Sequence, residues 1–417
     1  MHPLALILVI VLVVDQALGV ASDMLNLRQA KSTLPDQFKG WYDPQRYAKS
    51  QRYLGVTTRF GWFVSIVNLI IMLGFWFGGG FGWLDGRVRS LEVHEIAGGL
   101  IYIGALLLFK SLLSLPMSIY ATFVIESRFG FNKTTRKVFV KDRIKGLLLG
   151  LFLGTPLVAA ILAFFQYAGT HAWWYCWLAT TGFLLLMQYI APTYIMPLFN
   201  RFEPLPQGEL RDAITAYARS IDFGLDNIFV MDGSRRSTKS NAFFTGFGSH
   251  RRIVLFDTLV EKHTVDELVA VLAHEMGHYK LRHILKGMAI GIVQSGAMFY
   301  LLSLFISNPG LFEAFYVHDV SVYAGLIFFG MLYAPIDGLL ALVVKAFSRR
   351  NEYAADRFSI RTSGKGEAMV TALKRLSVDN LSNLQPHPLH VFLNYSHPPV
   401  LARIEAIEGW LNRGLVK

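Results

Sequence analysis

Apolar residues run through this chain in long unbroken stretches rather than in the alternating or amphipathic patterns of a water-soluble core. Stretches of about 18 or more such residues, enough for a helix to cross the hydrocarbon of a bilayer, fall near 3–20, 61–84, 96–120, 147–168, 174–198, 286–307 and 320–347. They predict seven transmembrane helices. The first stretch has an alternative reading as a signal peptide. No basic segment precedes it and no small-x-small cleavage pattern follows it, so it is taken as a helix. Two polar segments, 199–285 and 348–417, are long enough to fold outside the bilayer.

Charge in the loops sets the orientation. Arg28, Lys31, Lys39, Arg46, Lys49, Arg52 and Arg59 crowd the first connection, and Arg128, Lys133, Arg136, Lys137, Lys141, Arg143 and Lys145 the third. The second offers only Arg87 and Arg89, and the fourth and sixth offer no Lys or Arg. The positive-inside rule therefore puts connections one, three and five and the C-terminus in the cytoplasm, with both polar segments on that side. Composition agrees with a membrane protein: of 417 residues 53% are hydrophobic and only 17% charged, below the roughly 25% of a soluble domain. The formal charge of +11 raises nucleic acid as a partner, but no nucleic-acid motif or aromatic-interleaved basic stripe accompanies it. Membrane-flanking Lys and Arg account for the excess. The one cysteine, Cys176, leaves no disulfide and no thiolate cluster, so any metal must use His and carboxylates.

The polar segment from Asp226 to Asp257 reads as strands and turns, with apolar runs at Ile228–Val230, Asn241–Phe244 and Ile253–Phe256, and predicts a small sheet or hairpin. Thr264 and Glu267 have capping-box spacing, and Leu268, Val271 and Leu272 follow with helical period, so a helix is expected from about Thr264 past His278. That helix carries His274-Glu275-Met276-Gly277-His278. Residues four apart share a helix face, so both imidazoles can hold one cation, while Glu275 on the adjoining side is placed to act as a general base. A third ligand is offered by Glu352, just after the last apolar stretch and expected on a second helix. Asp356, one turn on, is placed to accept the free ring N–H of a ligand histidine. The alternative for this pair is an exposed acidic face beside Arg349, Arg350 and Arg357. His283, five residues after His278, is expected to point off the shared face as an ordinary interfacial residue. His397, in Ser396-His397-Pro398-Pro399, and Arg403 are candidate donors to a developing oxyanion, and the His-Pro-Pro run has the alternative reading of a simple turn. Lys110 and Asp337 lie inside apolar stretches and would each cost about 3 kcal/mol facing lipid. Either they face a wet interior, or Lys110 snorkels and Asp337 sits at a helix break beside Pro335.

Taken in order, Phe123-Val124-Ile125-Glu126 with Phe129-Gly130-Phe131-Asn132-Lys133, Ile195–Phe202, Ser240–Gly246, Arg252–Asp257, the His-Glu-Met-Gly-His helix, Asn351-Glu352 and Ser396–Pro399 resemble the Ste24 type of CAAX prenyl protease, an integral-membrane branch of the M48 metallopeptidases. The resemblance implies an all-α membrane protein whose seven helices form a chamber, with a zincin-like portion containing a small β-sheet and one Zn2+ per chain. It further implies that Asn241, Ala242 and Phe243 form an edge strand holding an extended substrate, and that His397 and Arg403 sit beside the substrate carbonyl or carboxylate. The domains expected are 1–198 (helices one to five), 199–285 (metalloprotease portion), 286–347 (helices six and seven) and 348–417 (third ligand and His-Pro-Pro segment). The function expected is a zinc endopeptidase with a peptide or protein substrate, prenylated or not, and a lipid bilayer as partners, but no nucleic acid. A membrane quality-control protease and a non-catalytic scaffold or transporter are the alternatives. The compact length favours a bacterial inner membrane over the endoplasmic reticulum.

Overall fold

A computed structural model describes residues 2–30, 33–225, 227–245 and 252–414, so Lys31, Asp226 and Gly246 lie outside the described residues. Among the described residues seven helices are long and apolar enough to cross a membrane: Pro3–Gln29, Pro44–Phe77, Glu95–Glu126, Arg136–Tyr167, Gly169–Phe199, His283–Phe305 and Val322–Ser363. Each overlaps one apolar stretch, and several outrun it, because backbone hydrogen bonding continues past the point where lipid-facing residues end.

Two expectations are corrected. The stretch 61–84 is not one helix: the second span stops at Phe77, and Gly79 at φ +73° turns the chain into a separate helix, Gly80–Arg89. A residue with a Cβ is disfavoured in that left-handed conformation. The last span does not end at 347: Glu352 lies on a helix other than that of His274 and His278, as expected, but that helix is the seventh span itself. The seventh span runs unbroken from Val322 to Ser363, with Pro335 inside it, and ends at Gly364 in the left-handed region. The expected boundaries at 285/286 and 347/348 thus both fall within helices. The helix-break reading of Asp337 falls with the second correction, and its carboxylate instead accepts a hydrogen bond from Gln294 of the sixth span at 2.9 Å.

The spans close into a ring. Helices pack one on two, three on four, four on five, five on six, six on seven and seven on one, and seven also packs on three and four. Phe60 on Tyr120 (5.2 Å) and Phe75 on Phe109 (5.7 Å) join two to three. No more than 22% of any span's apolar window is buried, so most of each span's surface faces outward or into the space between the helices. One end is plugged by stacked aromatics, Trp76 on Phe315 at 4.5 Å and Phe315 on Phe328 at 4.2 Å. Beside them the buried Asp85 carboxylate is held by Tyr323 (2.6 Å) and Arg89 (2.8 Å).

The other end carries a four-stranded sheet, β1 (Phe202–Pro204), β2 (Asn227–Met231), β3 (Ala242–Thr245) and β4 (Arg252–Phe256). The order is β1-β2-β4-β3, with β2 and β4 parallel and both outer pairs antiparallel. Among the described residues β3 is therefore a free edge. Helices α1 (Glu209–Ser220) and α2 (Val265–Lys280) pack together over this sheet around buried Leu255, Leu259, Leu268 and Leu272. Helices α3 (Gly366–Asp379), α4 (Pro388–Asn394) and α5 (Val400–Asn412) complete the layer. Arg236 bolts it to the ring by donating to Asp142 (2.9 Å), Asn200 (2.7 Å) and the Phe199 carbonyl (2.6 Å).

α2 begins with a complete capping box: the Thr264 hydroxyl accepts from Glu267 N–H and the Glu267 carboxylate accepts from Thr264 N–H. Glu267 is 2% exposed and also accepts two-pronged hydrogen bonds from Arg375 of α3. Removing the exposed cap with Thr264→Ala is expected to cost about 1 kcal/mol. Glu267→Ala breaks a buried charge pair as well and should cost about 3 kcal/mol. Thermal unfolding in detergent checks the order: Glu267→Ala must melt below Thr264→Ala, and the reverse contradicts the packing described.

Candidate metal centre

Helix α2 buries Leu268, Val269, Leu272 and Met276 against the sheet, which turns His274 and His278 toward the seventh span. Small residues let the two helices meet closely. A Cβ on Gly277 would lie 3.0 Å from the Phe358 ring and 3.4 Å from the Ala355 backbone, Ala355 is wholly buried, and the Ser359 hydroxyl donates to the Ala270 carbonyl at 2.7 Å. That close crossing carries Glu352 to the histidines.

The donor atoms of His274, His278 and Glu352 lie within 4.8 Å of one another. His274 Nε2 is 3.4 Å from Glu352 Oε2, His278 Nε2 is 3.3 Å from Oε1, and the two Nε2 atoms are 3.1 Å apart. Glu352 is 3% exposed and its Oε2 is buried without a hydrogen-bond donor. That oxygen is approached by His274 Nε2 at 3.4 Å and Arg403 Nη1 at 3.8 Å, neither a well-aligned donor, and a buried carboxylate so placed is costly without a closer cation, so the donor set fits a divalent metal with hard-oxygen and imidazole preference. Behind it, Asp356 is wholly buried and accepts from His274 Nδ1 at 2.8 Å. Burial alone would push His274 down, but the hydrogen bonds to Asp356 and Glu352 outweigh it and raise the imidazole to about 9. The site therefore favours positive charge.

Arg403 of α5 is turned toward Asp356, donating from Nε at 2.8 Å and Nη2 at 2.6 Å, while Nη1 lies 3.8 Å from Glu352. His397 Nε2 is 3.3 Å from Glu352 Oε1, its Nδ1 is 2.9 Å from the Ser396 hydroxyl, and its side chain is 63% exposed, so it stands on the open side. Glu275 is half-buried. Burial pushes its carboxyl above the ordinary carboxylate range, against the pull of His274 and His278. It lines a cleft of about 700 Å³ with His278, Phe243, Phe244, Val344 and Phe347.

At the free edge, Asn241 C=O accepts from Phe256 N–H at 3.1 Å and so faces β4. Antiparallel alternation then turns the backbone of Phe243 inward and those of Ala242 and Phe244 outward. The outward Ala242 N–H is met by the Asn241 side chain at 2.9 Å.

The expectation for His283 is corrected. It does not point away from the cluster: it is 9% exposed and its Nδ1 lies 3.0 Å from His278 Nδ1. The five-residue offset excludes contact only if the helix continues, and α2 ends at Lys280. Arg282, at φ +58°, caps a new helix that starts at His283. The basic residues Lys280 and Arg282 at the helix end are the only sequence signal for that stop, since no glycine marks the turn.

Residues 23–201 match the family described as CAAX prenyl protease N-terminal, five membrane helices, and residues 204–411 match peptidase family M48. The CAAX prenyl protease 1 homolog of Arabidopsis thaliana is 37% identical over 397 residues, which cover 92% of this chain and 93% of that one. CAAX prenyl protease 1 of Saccharomyces cerevisiae is 32% identical over 406 residues, covering 91% and 89%. The crystal structure of S. mikatae Ste24p aligns with a TM-score of 0.92 at 32% identity, over 98% of this chain and 100% of that one. With seven membrane-length helices and a clustered His-His-Glu donor set behind those matches, the chain belongs to peptidase family M48 as a multi-pass membrane metalloprotease of the CAAX prenyl protease type.

Proposed function

We propose that this protein is a zinc endopeptidase that cuts an extended polypeptide laid along the β3 edge, and that it removes the C-terminal tripeptide after a prenylated cysteine. The observation that carries the reading is the convergence of His274, His278 and Glu352 with one carboxylate oxygen lacking an aligned hydrogen-bond donor. In this reading these three residues hold one zinc ion, within a catalytic portion built from 199–285 and 348–417. Zinc, when bound, supplies a Lewis acid. Asp356 orients His274 and is itself held by Arg403, which makes Arg403 a positioning residue as much as a contact for a substrate carboxylate. Glu275 takes a proton from the attacking water and delivers it to the departing amine. His397, exposed beside Glu352, donates to the oxygen that becomes negative.

Substrate binding is assigned to Asn241, Ala242 and Phe243 by strand addition. The outward N–H and C=O of Ala242 supply main-chain hydrogen bonds, with Asn241 releasing the N–H it covers. The cleft beside β3 is lined largely by apolar side chains of the sixth and seventh spans, a surface suited to a polypeptide bearing a prenyl group. Loop charge supports a site facing the cytoplasm. Against the bacterial inner membrane expected from the compact length stands the eukaryotic origin of the relatives named above. The excess positive charge flanks the membrane spans and supports a bilayer, not nucleic acid, as partner.

Cleavage of a farnesylated C-terminal peptide in detergent, read by mass spectrometry, should release the terminal tripeptide; products of internal cleavage alone would contradict the assignment. Glu275→Gln should keep its zinc while losing about 10²- to 10⁴-fold in kcat, the usual worth of a positioned base, and unchanged turnover would remove Glu275 from that role. Ala242→Pro strips one outward donor while sparing the inward ladder, as edge strands allow. The expected result is a KM raised roughly fivefold, about 1 kcal/mol for one hydrogen bond, with the melting point little changed. An unaltered KM would argue against strand addition at this residue.

A further inference from the structure

Each histidine of the metal centre has a second ring nitrogen that needs a partner, and the two are provided for differently. His274 meets a carboxylate, Asp356, at 2.8 Å. His278 meets an imidazole: its Nδ1 lies 3.0 Å from Nδ1 of His283, with ring centroids 5.1 Å apart and planes at 72°. Among the described residues no carboxylate approaches that nitrogen. Two nitrogens at this distance can share only one proton. His278 Nε2 faces His274 Nε2 at 3.1 Å and Glu352 at 3.3 Å, and a ligand nitrogen must present a lone pair there. The proton therefore sits on His278 Nδ1 and is donated to His283, whose own proton is left on Nε2.

We propose that His283 is the positioning residue for His278, fixing its tautomer and ring orientation as Asp356 does for His274. The inference rests on the reading of His274, His278 and Glu352 as a metal site, and it adds a member that the His-Glu-Met-Gly-His pattern does not contain. The fold is shaped to deliver it. α2 stops at Lys280, whose ammonium donates to the Asp222 carbonyl at 2.7 Å. Arg282 then takes the left-handed conformation, at φ +58°, that brings His283 back over the end of α2. A non-glycine residue held there costs of order 1 kcal/mol, a strain with a purpose if His283 must reach His278. Because His283 is the first residue of the sixth span, the contact also ties the start of that membrane helix to the metal centre.

The two ligands consequently differ. A carboxylate partner raises the basicity of its imidazole more than a neutral one does, so His274 is the stronger donor and His278 the weaker. His278 is also the ligand that lines the cleft, together with His283.

The test is zinc affinity rather than turnover, measured on the purified full-length protein in detergent by competition with a chromophoric chelator. His283→Leu keeps bulk but offers no acceptor, and should weaken zinc about 10- to 100-fold, as loss of such an orienting partner does. His283→Asn places an amide oxygen near the position of Nδ1 and should restore affinity to within roughly threefold of the parent, given an equivalent acceptor. If His283→Leu binds zinc as the parent does, or if His283→Asn is as weak as His283→Leu, the proposal is overturned. Failure of the metal reading itself looks different: the parent protein then retains no zinc, which removes both readings together.

Discussion

The close crossing of α2 on the seventh span is the constraint on which the rest depends. Glu352 lies 74 residues after His278 in sequence, and a carboxylate on a helix of that length reaches two imidazoles on another only if the backbones approach without intervening side chains. Gly277 and Ala355 provide that approach, and the Ser359 hydroxyl pins it to the Ala270 carbonyl. A side chain at Gly277 would meet the Phe358 ring and the Ala355 backbone and push Glu352 outward, so the chemistry is set by helix packing before it is set by ligand identity.

That packing also explains why the catalytic layer and the membrane ring are one structure. The helix that brings Glu352 and Asp356 is itself a membrane span, and the helix that brings His274 and His278 turns within three residues into another. The layer is fastened further by Arg236 on Asp142 and by Lys239, whose ammonium lies 3.3 Å from Glu126 and 2.9 Å from the Tyr53 hydroxyl. Lys239 directly precedes the Ser240 to Phe244 segment, so the same contact that anchors the layer to the second and third spans holds the start of the β3 edge. The edge strand and the metal centre are thus tied to the same set of membrane spans.

Much of this was legible in the sequence because its signals are local and periodic. Seven apolar stretches need only the length of a bilayer crossing, the capping box at Thr264 and Glu267 needs only a three-residue spacing, and His274 and His278 share a face by helical period alone. Glu352 and Asp356 were legible as a one-turn acidic pair. What escaped depends on where a helix stops. The seventh span was expected to end with its apolar stretch, yet nothing between Asp337 and Gly364 breaks hydrogen bonding and the helix continues through the site. The second span ends early because Gly79 is free to adopt a positive φ, which hydropathy does not register. The same blindness hid His283, since its meeting with His278 requires a left-handed Arg282 that no residue preference announces. β1 was missed as well, being three residues ended by Pro204.

The central claim is that two imidazoles and one carboxylate hold a single zinc ion. Zinc K-edge X-ray absorption of the purified protein tests it most directly. The account predicts a first shell of nitrogen and oxygen only, with two imidazole nitrogens at about 2.0–2.1 Å and carboxylate oxygen at about 2.0–2.2 Å. A sulfur contribution near about 2.3 Å, or a protein that carries no zinc at all, would contradict it.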